Sequence, residues 1–442
     1  MWNYLGFKES PYSTKPLKPC KEDVDLLVGR EKEAVDFLTY IESNTDGIFI
    51  ISGSPGVGKT SFLNIQQYLM ECSQVRFGRK LLSSRELCPV QSSDSPRDLA
   101  LRILYSFHKS IVTYCDLKGF KPPNQVVKIG KWLNSKSSAS FEVGIQILGT
   151  GGNFGRAVAL PSIQDVTFEG IRDAIDCLSS IVLTDLSYEG SFIVLDNLEN
   201  LSDETLSELL MAFRDTLFSI SRVWWILIGQ SGLATLLQTL DSRVSDRITG
   251  PGLELKPIPI QDLHLAVEKR VKKFHSAGKG TAPLSSKIHE HLYKSSHGEI
   301  RFVFKYSHSI CTQFIQGLRH DVLKADPHFN QEDLDSAIGR YLIRNQIKDD
   351  TAERYLKEII KAELDGLSLR QKDKQLLKNI YTKKSVRPRE FKDYGFKSAQ
   401  EFYSNYLSKL YGQNLLIREQ KGKMVNYSLR GLAFLAAEFD FL

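Results

Sequence analysis

Residues 53–60 read GSPGVGKT and satisfy the pattern G-x-x-x-x-G-K-[ST] at every fixed position. The chemistry served by this spacing is the cradling of phosphate. Gly53, Gly56 and Gly58 let the backbone wrap closely, so that its N–H groups face phosphate oxygens. Lys59 would reach the β- and γ-phosphates, and the Thr60 hydroxyl would ligate Mg2+. A helix opening here adds the positive end of its dipole. Ser54, Pro55, Gly56, Val57, Gly58, Lys59, Thr60 and Ser61 are therefore the expected contacts of a nucleotide, ATP, bound with Mg2+.

A second stretch, FIVLDNLENL at 192–201, runs four apolar residues into Asp196. A carboxylate at the end of a buried strand beside the phosphate loop is placed to hold Mg2+ together with Thr60. Asn197 follows it. An amide can orient water by hydrogen bonding but cannot take its proton. The nearest acid is Glu199, and whether it points into the site or away from it is open at the level of sequence.

Both stretches need a frame. GIFIISG (47–53) and the runs 191–196 and 223–229 are short and continuously apolar, as buried parallel strands are. They alternate with helical patterns at 29–42, 60–72, about 94–114, 166–187 and 203–220, which predicts a parallel sheet covered on both faces. Residues 116–165 break the pattern. The alternation of Phe141, Val143, Ile145 and Ile147 predicts a β-hairpin over 140–160, an insertion on the core. GTGGNFG within it has the wrong glycine spacing for a dinucleotide loop. From 261 to about 366 the periodicity is helical. Residues 367–442 then read as helix, helix, helix and hairpin, the order of a winged helix.

The 442 residues are 42% hydrophobic and 25% charged, ordinary for a soluble chain of two or three domains. No run of 18 apolar residues and no signal layout occurs, so no membrane partner is expected. Six scattered cysteines without a CxxC point to a reducing cytoplasm and away from structural zinc. The net charge of +6 is uneven: residues 367–442 hold 15 basic and 7 acidic side chains, a surplus of eight positive charges. That makes the tail the place to look for a polyanion surface.

The motifs together resemble AAA+ P-loop ATPases, most closely the origin-initiator-like branch and bacterial transposition and secretion ATPases. The resemblance spans about 26–310, with the tail added by its architecture. LLVGREKE (26–33) resembles the adenine-side box and implies Val28, Gly29 and Arg30 as nucleotide contacts. ILIGQSGLATLLQTLDSRVSDRI (226–248) resembles the sensor-one strand and the arginine-finger segment, which implies Gln230, with Ser231 next to it, and either Arg243 or Arg247. LELKPIPIQDLHLAVEKRV (253–271) resembles the entry to a helical lid. HGEIRFVFKYSHSI (297–310) resembles the sensor-two helix, with Arg301 as its arginine. The family usually places glutamate after the Mg2+ aspartate; Asn197 departs from that, and VLDNLENL also resembles STAND-class signalling ATPases, which often turn over slowly.

The expected fold is therefore α/β: a P-loop NTPase parallel sheet with a helical lid and a C-terminal winged-helix domain. The expected divisions are an N-terminal arm (1–25), the ATPase core (26–260), the lid with connecting helices (261–366) and the winged helix (367–442). The resemblance implies a slow, DNA-associated ATPase of a bacterial replication, transposition or antiviral defence process. It would form an ATP-dependent homo-oligomer and grip double-stranded DNA through Lys397, Lys409, Arg418, Lys421 and Lys423, with Ser398, Gln400 and Arg430 nearby. Lys383, Lys384, Arg387 and Arg389 form a second basic run, read as a solvated face, and Tyr403, Tyr406 and Tyr411 are expected to pack inward. The alternative is a STAND-like switch whose winged helix engages a protein, such as a separately encoded effector.

Overall fold

In a computed structural model of the chain, the described residues are 1–72, 79–85, 88–134, 141–143, 158–160, 166–240, 248, 250, 252–278, 280–325, 328, 332, 336, 346–421 and 424–442. The chain divides into two compact units, Pro16–Lys256 and a discontinuous unit made of Met1–Lys15 with Pro257–Leu442. Among the described residues no helix is long and apolar enough to cross a membrane, and all six cysteines are free thiols.

The strands of Pro16–Lys256 are β1 (Gly47–Gly53), β2 (Leu81–Leu82), β3 (Cys88–Pro89), β4 (Phe141–Val143), β5 (Val158–Leu160), β6 (Gly190–Asp196), β7 (Val223–Ile228) and β8 (Leu253–Leu255). Six of them make one parallel sheet in the order β2-β6-β7-β1-β8, with β3 also on the outer edge of β6. The continuous apolar runs are explained by burial on both faces. Ile48 and Ile50 of β1 enter one core with Ile193, Leu195, Trp225 and Leu227. Phe49 and Ile51 enter the other with Phe192, Val194, Trp224 and Ile226. Register is set by pairs such as Ile48↔Trp225 and Ile193↔Trp225. The first core is covered by the helices Pro96–Lys118, Asn124–Leu133, Phe168–Thr184 and Asp203–Arg214.

Within the expected insertion, β4 and β5 pair antiparallel, Phe141 against Leu160. GTGGNFG lies outside the described residues. Residues 124–133 differ from a simple insertion. They form a helix whose Val126, Ile129 and Trp132 are fully buried in the main core.

In the other unit, the helices Ile260–Phe274, Ser286–Ser295, Ile300–Ala325 and Asp349–Asp365 pack around one apolar cluster. The N-terminal segment differs from the expected free arm. Phe7 and Tyr12 are buried in that cluster, Lys8 N donates to Phe274 O and Ser276 N donates to Gly6 O, both at 2.8 Å. Aromatic side chains too costly to leave in water hold residues 1–15 against the helices, whereas residues 16–25 belong to the sheet unit.

The last part of this unit runs Gln371–Lys383, a 3-10 segment Pro388–Tyr394, a helix over 399–412 with a π-turn at Tyr403–Leu407, then β9 (Leu416–Lys421) and β10 (Met424–Leu429) as an antiparallel hairpin. Two features had no clear signal in the sequence: Val386 makes an isolated antiparallel bridge to Tyr427, and a helix, Leu432–Glu438, closes the chain. The hairpin's exit is bolted to the preceding helices. Buried Arg430 pairs with Glu299, Gly431 N donates to Ser295 O at 2.9 Å, and His297 Nε2 lies 2.9 Å from Leu429 O.

Tyr12 closes the N-terminal anchor through chemistry as well as packing. Its hydroxyl accepts from Leu284 N at 3.4 Å and lies 3.1 Å from Nε2 of buried His289. Burial, aided by His264, pushes His289 down to about 4 from its ordinary 6.5. The unfolded chain therefore binds a proton that the folded one refuses between these values, so stability falls as the pH is lowered from about 6.5 to about 4. The loss should reach about 3 kcal/mol. Unfolding midpoints followed over that range should drop for the wild type, and His289→Gln should remove this component of the pH dependence.

Candidate nucleotide site

The parallel strands all end on one edge of the sheet, where open α/β sheets bind ligands. β1 delivers the phosphate loop there. Its last residue, Gly53, has φ +150°, and a β-carbon would sit 2.5 Å from Leu255 O, so close passage along β8 requires glycine. Gly58 has open space around it but φ +100°, the left-handed conformation that caps the helix Lys59–Glu71. Lys59 Nζ donates to Gly53 O at 2.8 Å and Ser54 O at 3.3 Å, which holds the ammonium across the loop.

Two neighbours brace this loop. Arg30 is only 4% exposed; its Nη2 donates to Val57 O at 3.0 Å and its Nη1 to Glu33 Oε1 at 2.8 Å. The adenine-side candidate thus clips the phosphate loop through the backbone of Val57, while Val28 is buried and Gly29 turns at φ +67°. Leu17 N donates to Ser61 Oγ at 3.1 Å and Asn64 Nδ2 donates to Leu17 O at 2.9 Å. The Ser61 hydroxyl is therefore engaged by the chain entering the unit. Neither Leu17 nor Asn64 belongs to a motif, so sequence reading passes over them.

The second half comes from β6. Thr60 Oγ1 and Asp196 Oδ2 stand 3.4 Å apart, and Asn197 N donates to Asp196 Oδ1 at 2.9 Å. Both carboxylate oxygens are thereby aimed. A hydroxyl and a carboxylate are the hard oxygen donors that Mg2+ takes alongside phosphate oxygens and water, so the residues fit this ion. Asn197 has φ +63°, a conformation asparagine tolerates better than most residues. It starts a short 3-10 turn, Leu198–Asn200. On that turn Asn200 Nδ2 donates to Val90 O at 2.9 Å, beyond β3, while Glu199 leans the other way: a β-carbon built on Gly229 would lie 3.6 Å from Glu199 Oε2.

Gln230 is the second residue after β7, half-buried, with its carbonyl accepting from Leu233 N at 3.2 Å. Because β7 lies between β6 and β1, the structure brings Gln230, Asp196, Thr60 and Lys59 to one sheet edge. Arg243 and Arg247 lie outside the described residues. Arg301 is exposed on the first turn of Ile300–Ala325, in the other unit.

The basic tail divides. Lys397 and Arg418 are exposed, Lys421 ends β9, and Lys423 lies outside the described residues. Lys409 departs from its expected DNA role: its Nζ donates to Asp373 Oδ2 at 2.9 Å, and Arg370 Nη2 reaches Oδ1 of the same fully buried carboxylate at 3.0 Å. Burial alone would raise the Asp373 carboxyl; the bonds from Arg370 and Lys409 hold it below the usual range. Arg430 is likewise occupied by Glu299. In the second basic run, Arg387 Nε donates to Asn426 Oδ1 at 2.8 Å, and Lys383 lies 3.8 Å from Asp393. Tyr406 packs inward as expected, but Tyr403 is 41% exposed.

Residues 42–237 match a family model described as "AAA domain". No curated protein matches the chain. Among solved structures, it is similar to the Aeropyrum pernix ORC2 protein in its ADPNP–ADP complexes, at 14% identity over 98% of both chains and a TM-score of 0.47. The Aeropyrum pernix ORC1 protein in complex with DNA aligns at 14% identity over 96% of this chain and 95% of that one, TM-score 0.43. Cdc6p from Pyrobaculum aerophilum aligns at 13% identity over 98% of both, TM-score 0.39.

Arg30→Ala should leave the buried Val57 carbonyl without its side-chain donor and so loosen the phosphate loop. A stability loss of about 1–3 kcal/mol is expected for a buried polar group left unmet, measured by denaturant unfolding, together with weaker nucleotide binding. Arg30→Lys, which cannot fork to both Glu33 and Val57, should recover only part of either.

Proposed function

With residues 42–237 forming an AAA-type P-loop domain, we propose that this chain binds ATP with Mg2+, hydrolyses it slowly, and couples its nucleotide state to self-association and duplex DNA binding. The observation that carries the reading is the approach of Thr60 Oγ1 to Asp196 Oδ2, 3.4 Å across the mouth of the phosphate loop. The two residues are 136 apart in sequence, and their closeness supports a shared role toward a metal-bound triphosphate.

In this reading the loop amides and the Lys59 ammonium bind the phosphates, and Thr60 and Asp196 hold the metal. Mg2+ would supply charge neutralisation on the β- and γ-oxygens. Gln230 senses the γ-phosphate from the end of β7. Arg301 acts from the lid, and Arg243 or Arg247 from a neighbouring subunit, as the family resemblance implies. The C-terminal module, taken as a winged helix, offers Lys397, Arg418, Lys421 and Lys423 to the DNA backbone; Lys409 and Arg430 serve its internal structure instead. The replication, transposition or defence setting rests on the resemblance alone.

One observation favours a second reading, the STAND-like switch. Arg430 and Glu299 bolt the C-terminal module to the neighbouring helices of its own unit, as a packing module that engages protein would require. Breaking one partner of such a buried pair is strongly destabilising.

Lys59→Ala should abolish binding of a fluorescent ATP analogue, and Asp196→Ala should remove the Mg2+ dependence of that binding. Wild-type turnover should fall below the enzyme median of about 10 per second. Fluorescence anisotropy with duplex DNA should show affinity falling with salt. Removing Lys397, Arg418, Lys421 and Lys423 together should flatten the log–log slope by up to about 0.9 for each phosphate that is no longer neutralised. Duplex binding that is absent at low salt would leave the switch reading in place of the DNA reading.

A further inference from the structure

The turn after Asp196 presents two candidates for the group that handles the attacking water, and the structure separates them. Asn197 takes a left-handed backbone conformation, φ +63°, and its backbone N–H donates to Asp196 Oδ1 at 2.9 Å. Its side chain has no carboxylate to receive a proton. The 3-10 turn that it starts then fans the next polar side chains to opposite sides. Asn200 is fixed on the outer side of β6 by its bond to Val90 O. Glu199 goes inward, its Oε2 3.6 Å from where a β-carbon of Gly229 would stand.

Gly229 is the first residue after β7, and its amide donates to Ile51 O of β1 at 3.2 Å. Ile51 is two residues before Gly53, where the phosphate loop begins. The Glu199 carboxylate thus stands by the end of β7, the strand between β6, which ends in Asp196, and β1, which leads into the phosphate loop. It is exposed, so water reaches it. A β-carbon on Gly229 would come within 2.7 Å of Leu233 Cδ2 but would meet Glu199 Oε2 only at an ordinary contact distance, 3.6 Å.

We propose that Glu199, three residues after the Mg2+ aspartate and not in the adjacent position, is the catalytic carboxylate that orients the hydrolytic water. This rests on the ATP-binding reading above. In the step it serves, the water oxygen bonds to the γ-phosphorus while the bond from that phosphorus to the β–γ bridging oxygen breaks. The bond's electron pair leaves with ADP. Glu199 receives the water's proton and returns it to solvent, so ATP and water yield ADP, inorganic phosphate and one proton. The left-handed turn that asparagine starts at position 197 is the same turn that brings an acid back at position 199.

The test measures nucleotide affinity, turnover and the identity of retained nucleotide in the full chain with Mg2+. Glu199→Gln should bind a fluorescent ATP analogue within about twofold of wild type, since it removes a water contact and no phosphate contact, yet hydrolyse ATP at least tenfold more slowly. Nucleotide extracted after incubation should be ATP, where the wild type yields ADP. Glu204→Gln, an exposed acid on the next helix, controls for the loss of one charge. The proposal is overturned if Glu199→Gln hydrolyses like wild type, if the loss falls on Asn197→Ala alone, or if wild type binds ATP and never hydrolyses it. Failure of wild type to bind ATP would instead overturn the ATP-binding reading itself.

Discussion

The pairing of β7 with β1 on one side and β6 on the other is the constraint from which the site follows. It brings Gly53, Asp196 and Gly229, remote in sequence, to one edge of the sheet. The pairing is held by side chains buried on both faces, so the register is specified twice, once by each core. A slip of one residue would exchange the faces of Trp224 and Trp225 and would carry the residues after Ile228 out of reach of Ile51. Accuracy at the phosphate edge is therefore a by-product of packing in the middle of the sheet.

Around that edge, backbone conformation and side-chain chemistry are fitted to each other. Gly53 passes β8 at a distance no side chain allows, Gly58 turns the loop into a helix, and Arg30 grips the loop from below through Val57. The acid turn uses asparagine where the chain must go left-handed and places its glutamate where the turn comes back.

Charge in the other unit is organised on a different principle. The tail's basic surplus is not all surface: Arg370 and Lys409 are drawn onto buried Asp373, and Arg430 onto Glu299. A carboxylate at that depth needs such partners. The basic surplus at the surface is therefore smaller than the composition suggests. The N-terminal segment follows similar logic with aromatic groups, Tyr12 meeting neutral His289 inside the helices.

The sequence by itself determined the phosphate loop, its strand-to-helix setting, the aspartate that ends β6 and the alternation of strands and helices. These are local properties. A strand buried on both faces must be apolar throughout, and a loop that wraps phosphate must carry glycines at set spacings. The tertiary structure decided which way Glu199 faces, what Arg30 and Lys409 hold, that residues 1–15 are anchored, and that a bridge from Val386 and a last helix complete the tail. Each depends on a partner far along the chain: Val57 is 27 residues from Arg30, Asp373 is 36 from Lys409, and His289 is 277 from Tyr12. Periodicity reports which face of an element is buried. It carries no record of which distant group a charged or polar side chain will meet, because that is settled only when the elements pack.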